Sequence, residues 1–436
     1  MLIGIDASRA NRDFRTGTEW YSYYLIKKLA WLDKENQYIL YTDKPLKGGL
    51  IDLTSENNDA ASADNKVKFD DNGYQAIKSP HNNFKAKVLK WPFNFFWTQG
   101  RLSLEMFMYC PDILFIPAHT LPIIHPDNSI ATIHDVGFER EDRIYSKEDM
   151  GPENRRFRKF VNYCALRFTK GKFGANIKDY LRWSTRYAIK HAAKILTVSE
   201  FSKKEMVEIY GQEEEFKNMD LAAKIIVTPN GYNSDRFCKC LDGEKGEAVL
   251  KKYNIKKPYI FYNGRLDKKK NTPALIESFS VMISKYGDEK NKLVLVGTPS
   301  YGYDEIKYTI NEFSLEERVY IPGWIDDVDL PYIFASASAF VFPSLYEGFG
   351  MPLLQAMGCE VPVAASRAAS IPEVAGDAAI LFDPTNIQEM ADAMQRIISD
   401  EGLRKDLIAK GKERVKNFSW DKCGQLTLEA IMLLKK

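Results

Sequence analysis

The chain has 436 residues, of which 45% are hydrophobic and 28% charged, and its formal net charge at pH 7 is +2. This length exceeds what one ordinary hydrophobic core accommodates, so the sequence predicts two domains and excludes a mainly disordered protein. Because acidic and basic residues nearly balance, the overall charge gives no reason to expect a nucleic-acid partner.

The N-terminus and the cysteines bear on the compartment. The first residues, MLIGIDAS, run directly into an apolar strand without a basic leader, and no apolar run has the length of a membrane span. Both features predict a cytoplasmic protein. The cysteines are scattered, and Cys238 and Cys240 are too closely spaced for the usual zinc pair, so all six are interpreted as reduced thiols. They are Cys110, Cys164, Cys238, Cys240, Cys359 and Cys423.

Short apolar runs that end in small or polar residues alternate with helical patterns along the chain. The first half contains LIGIDAS, YILYTD, DILFIPAH, SIATIHD, KILTVS and KIIVTPNG. After a charged stretch near residues 241–257, the second half contains YIFYNGR, KLVLVG, VYIPGW, AFVFPS, VPVAAS and AAILFD. This alternation predicts an α/β protein with two doubly wound, Rossmann-like domains of parallel strands, joined near residues 232–257.

Ligands of open α/β sheets bind beyond the carboxyl ends of the strands, so functional side chains are expected there. Polar residues do follow the predicted strands: Asp6, His119, His134, Asp135, Ser199, Asn230, Arg265 and Glu347.

The segment 339–366 combines a short strand, a Gly348-Phe349-Gly350 turn, a helix with Pro352 in its first turn and a second strand. The glycines let the backbone approach a ligand closely, and the amides at a helix start attract phosphate. Glu347, just before the turn, can accept hydrogen bonds from hydroxyl groups. Phosphate beside hydroxyls indicates a sugar nucleotide.

Arg265 and Lys270 lie five positions apart at a strand-to-helix junction, where a guanidinium and an ammonium can hold a diphosphate. Cations placed there would stabilise negative charge on a departing phosphate. The alternative is a solvated basic loop, since Lys268 and Lys269 belong to the same run.

The first domain offers a turn and two histidines. The turn around Gly17 and Thr18 opens a helix and can bring amides to a phosphate, although a plain turn is the alternative. His134 follows a strand and can orient a sugar hydroxyl or share in proton transfer. His119 competes for that role, whereas His81, His125 and His191 are interpreted as structural.

Asp326, Asp327 and Asp329 offer carboxylates in a spacing that can hold a divalent metal. They also precede a helix-like segment, and helix capping is the favoured interpretation.

Two basic segments suggest peripheral contact with an anionic membrane. Residues 85–101 interleave lysines with aromatic residues, and residues 153–178 carry a run of arginines and lysines against Glu153. The alternatives are aromatic packing and a solvated loop.

Several motifs together resemble retaining glycosyltransferases of family four. They are SLYEGFGMPLLQAMGCEVPVAASRAASIPEVAGDAAILFDP, GRLDKKKN, VTPNGY, TVSEFSKKEM and IHDV, in positions against strand ends. The resemblance spans most of the chain and is strongest over residues 259–384. It implies the GT-B architecture, with two Rossmann-like domains facing across a cleft and a last helix that crosses back to the first. The implied limits are 1–233 for the acceptor-side domain, 234–416 for the donor-binding domain and 417–436 for that helix.

The resemblance also implies roles for individual residues. Arg265 and Lys270 would bind the donor diphosphate, Glu347 the hydroxyls of the donor sugar, and His134 would line the reacting sugar. The backbone of Gly348, Phe349, Gly350 and Met351 would cradle sugar and phosphate, with Asn230 counted among the donor-binding residues and Gly17, Thr18 and His119 placed near phosphate and acceptor.

Two features depart from the family. The family usually has a second glutamate eight positions after the first, which holds the ribose, and this sequence has Gln355 there. An amide keeps the hydrogen bonds but loses their charge, so weaker or altered donor binding is expected. The basic insertion near residues 150–179 is longer than expected.

The sequence thus predicts a retaining hexosyltransferase that moves mannose or glucose from a nucleoside-diphosphate sugar to a saccharide or lipid-linked saccharide, in cell-surface polysaccharide synthesis. No metal cofactor is expected, because side-chain cations and helix-end amides can supply the positive field. The alternative is a non-catalytic member that binds sugar nucleotides or a partner transferase, for which Gln355 is the main support.

Overall fold

A computed structural model describes residues 1–55, 68–93, 96–141, 145, 155–239 and 242–435. The chain divides into two compact units. The first comprises the described residues of Met1–Arg140, 155–230 and 420–435, and the second comprises those of Gly231–Ser419 together with Glu141 and Tyr145. The limits predicted from the sequence, 233 and 416, thus lie three residues from the observed crossings between the units.

The described residues of the first unit form an eight-stranded sheet in the order β3-β4-β2-β1-β5-β6-β7-β8. All neighbours pair in parallel except β3, which runs antiparallel to β4 at the edge. The strands are β1 Leu2–Asp6, β2 Gln37–Thr42, β3 Tyr74–Ala76, β4 Phe84–Val88, β5 Ile113–Ile116, β6 Ser129–Thr132, β7 Lys194–Thr197 and β8 Ile225–Val227. The helices are α1 Gly17–Leu32, α2 Ser103–Met108, α3 Gly137–Arg140, α4 Arg155–Phe168, α5 Ile177–His191, α6 Glu200–Gly211 and α7 Leu221–Lys224.

The second unit has a six-stranded, entirely parallel sheet in the order β11-β10-β9-β12-β13-β14 within its described residues. Its strands are β9 Tyr259–Asn263, β10 Lys292–Val296, β11 Val319–Gly323, β12 Ala339–Phe342, β13 Val363–Ser366 and β14 Ala379–Phe382. Its helices are α8 Gly243–Lys252, α9 Thr272–Tyr286, α10 Tyr303–Glu312, α11 Leu330–Ser336, α12 Met351–Gly358, α13 Ile371–Ala375, α14 Ile387–Ser399 and α15 Glu401–Val415.

The sequence patterns explain these elements. The central strands are continuous apolar runs because helices cover both faces of a parallel sheet, and Tyr259, Ile260 and Phe261 of β9 are fully buried. Helix α9 begins with a proline in its first turn and ends at Gly287, whose φ of 66° suits a left-handed cap. The predicted class, two doubly wound α/β domains, is confirmed.

The last helix, α16 (Trp420–Met432), belongs to the first unit although it follows the second unit in sequence. Its Trp420 ring stacks on Tyr24 of α1, with centroids 5.0 Å apart. Lys28 Nζ lies 2.9 Å from Asp421 Oδ1. Gly424 lets the two helices approach closely, since a Cβ built there would stand 2.9 Å from Lys28 Cβ.

Two strands were missed from the sequence, and one interpretation changes with them. Lys85 and Lys87 lie on β4 rather than in a helical or solvated segment. Lys85 Nζ sits 3.9 Å from the centre of the Tyr74 ring on the edge strand β3, and Lys87 Nζ pairs with the buried Glu105 at 2.5 Å. Lys87 is thus engaged by a buried carboxylate, whereas Lys85 lies exposed beside Tyr74, and membrane contact by this segment stays a prediction.

Two of the sequence-based expectations concern the chain as a whole. Among the described residues, no helix combines the length and apolar content needed to span a bilayer. Within the described residues, no disulfide joins any of Cys110, Cys164, Cys238, Cys359 and Cys423. Cys240, Glu153 and the first residues of the basic insertion lie outside the described residues.

Candidate functional site

In each sheet the strand order reverses at one point. Several predicted site residues follow the two strands that meet at that point. In the second unit the reversal lies between β9 and β12, which are neighbours. Arg265 and Lys270 follow β9, and Glu347 follows β12. In the first unit the reversal lies between β1 and β5, which precede Gly17 and His119 respectively. Such switch points are where open α/β sheets bind ligands.

A buried carboxylate organises the loop after β9. Asp267 is 5% exposed and begins a short helical turn, Lys268–Lys270, by accepting a hydrogen bond from Lys270 N at Oδ1 (3.1 Å). Its Oδ2 lies 3.3 Å from Arg265 Nη2. One side chain thus fixes the turn that carries Lys270 and restrains Arg265, whose side chain is 53% exposed. Sequence reasoning had not singled out Asp267.

Lys270 and Glu347 form an ion pair, between Nζ and Oε1. Their side chains are only 16% and 11% exposed, so the pair is largely shielded from water. The backbone of Glu347 is held as well, because the buried hydroxyl of Ser370 donates to its carbonyl oxygen at 2.9 Å. The structure thus brings Lys270 and Glu347 together, whereas Arg265 pairs with Asp267 instead.

The turn after Glu347 leads into α12 through Gly350, whose φ of 98° disfavours any residue with a side chain. A Cβ there would also stand 3.2 Å from Leu353 Cδ1 and 3.4 Å from Phe342 Cε1. The Phe349 ring is buried against Phe418, edge to face at 5.6 Å, so the contribution of Phe349 to a ligand site is limited to its backbone. Gln355 is half-buried and lies one turn beyond Met351 on the same side of α12.

A second glycine keeps the β9 loop in place. Gly297, after β10, has φ of 153°, and a Cβ there would stand 1.8 Å from the carbonyl oxygen of Gly264. The Gly264 amide in turn donates to Val296 O at 3.0 Å. The residue before Arg265 therefore lies directly on the backbone at the end of β10.

In the first unit, Gly17 and Thr18 form the start of α1. Gly17 is exposed and Thr18 half-buried, and the side-chain hydroxyl of Ser22, four residues on, donates to Thr18 O at 3.0 Å. Glu19 caps the N-terminus of α1 by accepting a hydrogen bond from Thr16 N at 3.1 Å, and its carboxylate also contacts Arg9 Nη1 at 3.4 Å. The segment is thus a capped helix start, and the Thr16-x-x-Glu19 spacing was the sequence signal for it.

His119 and His134 lie close together, with ring centroids 5.8 Å apart. Nε2 of His134 lies 3.2 Å from Pro117 O, and Nε2 of His119 lies 3.0 Å from Asp135 O. A carbonyl oxygen can only accept, so each Nε2 carries a proton in these bonds and each Nδ1 of a neutral ring keeps a lone pair. Desolvation, reinforced by His119, lowers the pKa of His134 to about 4. His134 is therefore neutral at pH 7.

Asn230 is the last residue of the first unit at its crossing to the second. It is 4% exposed, and its Oδ1 is buried without a hydrogen-bond partner among the described residues. It thus belongs to a different unit from Arg265, Lys270, Glu347 and Gln355.

The aspartates before α11 are engaged by a lysine. Lys252 Nζ lies 2.8 Å from Asp326 Oδ2 and 2.7 Å from Asp329 Oδ2. Asp329 holds the position before the helix, but its side chain makes no capping bond, so the capping interpretation was wrong for this side chain. In the described part of the chain, no three His, Cys, Asp or Glu side chains lie close enough together to hold a metal ion.

Comparison with known proteins identifies the architecture. The sucrose-phosphate synthase of Thermosynechococcus elongatus superposes with a TM-score of 0.69 at 17% identity, over 100% of this chain and 99% of that one. The fold is thus the GT-B fold of glycosyltransferases. Residues 247–414 match the family described as glycosyl transferases group 1, so the resemblance stated from the sequence is confirmed.

Two curated relatives are mannosyltransferases of Escherichia coli. The O-antigen chain mannosyltransferase B is 31% identical over 260 residues, which make up 58% of this chain and 64% of the relative. The serotype-specific mannosyltransferase WbdA is 24% identical over 245 residues, or 56% of this chain and 29% of the relative. The chain thus matches less than two thirds of the length of either.

Proposed function

We propose that the protein is a retaining glycosyltransferase that moves a hexose, mannose or glucose, from a nucleoside-diphosphate sugar to a saccharide or lipid-linked saccharide acceptor. We place it in the cytoplasm, in the synthesis of a cell-surface polysaccharide. The observation that carries the proposal is the shielded Lys270–Glu347 pair, which stands between the β9 loop and the glycine turn that opens α12. The pair places the ammonium of Lys270, which can bind phosphate, beside the carboxylate of Glu347, which can accept hydrogen bonds from sugar hydroxyls.

On the donor side, Lys270 and Arg265 bind the diphosphate, together with the amides from Gly348 to Met351. The diphosphate competes with Glu347 for Lys270, and Glu347 then accepts hydrogen bonds from the sugar hydroxyls. Gln355 is assigned to the ribose and Asn230 to the donor. The negative charge that develops on the departing phosphate is stabilised by these cations, and the reaction as proposed uses no metal cofactor.

On the acceptor side, His134 is proposed to orient a sugar hydroxyl rather than to remove its proton. A group with a pKa of about 4 is a weak base at pH 7, and its Nε2 proton is directed at Pro117 O. Its role in the proposal is to accept a hydrogen bond from a sugar hydroxyl through Nδ1. The departing phosphate then takes the proton of the attacking acceptor hydroxyl on the same face of the sugar, which retains the anomeric configuration. Gly17, Thr18 and His119 are assigned to the phosphate and acceptor side.

Mannose is favoured because both E. coli relatives are named mannosyltransferases and one is named for the O-antigen chain. The second candidate is a non-catalytic protein that binds sugar nucleotides or a partner transferase. Gln355 favours it, since the amide replaces the charged residue expected at the ribose.

The test is thermal stabilisation of the purified protein by a panel of nucleoside-diphosphate sugars, followed by donor hydrolysis and an acceptor screen. We expect one donor to raise the melting temperature of the wild type but not of Arg265→Ala, and hydrolysis of that donor to stop in Glu347→Ala. Binding without turnover on any acceptor would support the second candidate. No stabilisation by any donor would contradict the first candidate and leave the second only as a protein that binds a partner transferase.

A further inference from the structure

The strongest unassigned feature is a concentration of positive charge in the first unit. Residues 156–172 carry six cations and no carboxylate: Arg156, Arg158, Lys159, Arg167, Lys170 and Lys172. Since the whole chain has a formal net charge of only +2, the rest of the protein is net acidic. The positive charge is therefore local to this segment, most of which is helix α4.

The exposed side of α4 combines three of these cations, Arg156, Lys159 and Arg167, with aromatic rings. Arg156, Phe160, Tyr163 and Arg167 recur at helical spacing, so they form one stripe along the helix. Phe160 is 58% exposed and Tyr163 is 61% exposed, and both arginines of the stripe are exposed. Val161 and Ala165, on the opposite side, are half-buried. The helix thus turns small apolar residues inward and two large rings outward.

Hydrogen bonds tie α4 to the start of α5. Ala175 N donates to Asn162 Oδ1 at 2.8 Å, and Thr169 Oγ1 donates to Phe173 O at 2.8 Å. The Asn176 side chain caps α5 by accepting from Asp179 N. The orientation of the stripe is therefore fixed relative to the turn that follows it.

We infer that the α4 stripe of Arg156, Phe160, Tyr163 and Arg167, together with the exposed Lys159 beside it, docks the protein on an anionic lipid bilayer. Aromatic rings partition into the interface between headgroups and acyl chains, and the flanking cations meet lipid phosphates. Charge complementarity favours an anionic bilayer over a second copy of this chain, because two cation-rich stripes without carboxylates repel each other. The docking does not depend on the proposed glycosyl transfer.

Helix α4 lies in the same connection of the chain as His134. The helix lies in the connection between β6 and α5, and His134 follows the carboxyl end of β6 in the same connection. If the proposed function holds, docking presents the acceptor side of the protein to a lipid-linked saccharide at the membrane surface.

Another exposed apolar surface offers a control. Leu104 and Phe107 of α2 are 48% and 73% exposed, but α2 itself, SLEMFM, contains no cation. A protein that bound membranes through hydrophobicity alone would use α2 at least as well as α4. We therefore expect Phe107 to be dispensable for binding to anionic vesicles.

The experiment is flotation of the full chain with vesicles of phosphatidylglycerol and phosphatidylethanolamine, and with vesicles of phosphatidylcholine alone. The test variants are Lys159→Glu with Arg167→Glu, and Tyr163→Ser. The charge control is Lys251→Glu with Lys256→Glu, which makes the same charge change at exposed lysines of the second unit. Phe107→Ser controls for hydrophobicity, and thermal melts check that each variant folds.

We expect wild type and both controls to float with anionic but not neutral vesicles, and less so at high salt. The double charge reversal should weaken partitioning at least about tenfold, since each surface cation is worth about fivefold. Unchanged binding of the double variant, equal binding to neutral vesicles, or dependence on Phe107 would overturn the inference. So would a dimer in solution that Tyr163→Ser dissociates, because the stripe would then be an interface between two copies.

Discussion

Lys270 and Glu347 are joined by an ion pair although 77 residues separate them in the chain. The two residues follow β9 and β12, strands that are distant in sequence but adjacent in the sheet. The pair thus closes the loop after β9 onto the loop after β12. Because both side chains are mostly buried, removing either one leaves a charge with poor access to water.

The pair should show strong energetic coupling. We expect Lys270→Met and Glu347→Gln each to lower the free energy of unfolding by about 1–3 kcal/mol, and the double variant to lose clearly less than the sum. Urea unfolding of the four proteins measures the coupling. Lys405 and Glu401, whose side chains are 74% and 77% exposed, provide a control cycle in which no measurable coupling is expected. Additive losses at Lys270 and Glu347 would contradict the prediction.

Asp267 should act through its cap rather than through its charge. Because Arg265 is half-exposed, its pairing with Asp267 contributes little, whereas the bond from Lys270 N fixes the turn. We expect Asp267→Ala to lower the free energy of unfolding by about 1 kcal/mol, and Asp267→Asn to retain most of the stability because asparagine also caps. Denaturant unfolding compares the two. An equal loss in both variants would show that the negative charge matters more than the cap.

Gly297→Ala should be among the most damaging substitutions in the second unit. Its Cβ would stand 1.8 Å from Gly264 O, so the backbone before Arg265 must move. We expect a loss of about 3 kcal/mol or more of unfolding free energy, since positive-φ strain and overpacking add. Gly287→Ala is the matched control, because Gly287 also has positive φ but open space around it. That variant should lose only about 1 kcal/mol. Similar losses in both would show that the β9 loop adapts easily.

Because the pKa of His134 is low in the folded protein, the free energy of unfolding should rise with pH. Folding lowers this pKa from 6.5 to about 4, so between these values the unfolded chain binds more protons than the folded one. The stabilisation is full above pH 6.5 and is lost as the pH falls towards 4, by about 2–3 kcal/mol at roughly 1.4 kcal/mol per pH unit. His134→Gln should lack this component. Unfolding free energies of both proteins across pH 4–7.5 give the difference curve, and a flat difference would show that the ring is well hydrated.

Gln355 can be tested by restoring a charge. If the proposed function holds, Gln355→Glu should tighten binding of the nucleoside-diphosphate sugar by about fivefold, because hydrogen bonds to a carboxylate are roughly twice as strong as neutral ones. Calorimetric titration measures the change. Gln212→Glu, at an exposed position after α6, adds the same charge elsewhere and should leave the affinity unchanged. Weaker binding in Gln355→Glu would indicate that the site is adapted to the amide.

The positions of the strands and of the polar residues after them could be predicted because each depends on local sequence. A buried parallel strand is a continuous apolar run, as in YIFYN of β9, and the residue after it is placed at the sheet edge whatever its partners are. The short edge strand β3 and the mixed strand β4, FKAKV, carry no such signal, because only one of their sides is buried.

Partnerships between side chains were harder to predict, because they depend on which strands become neighbours. The pairing of Lys270 with Glu347 required that β9 lie beside β12, and the bond from Ser370 to the Glu347 carbonyl required the β13 connection beside both. Asp329 illustrates the same limit. Its position before α11 suggested that its side chain caps the helix. Instead, the carboxylate accepts a hydrogen bond from Lys252, which lies 77 residues earlier in the chain.

Helix α16 determines the order in which the two units can be completed on the ribosome. Every element of the second unit lies before residue 420, so α16 is synthesised after all of them. The first unit begins earlier and finishes later. Until Trp420 is synthesised, Tyr24 of α1 stacks on Trp20 of the same helix but not on Trp420, so the nascent first unit exposes more aromatic surface to other chains.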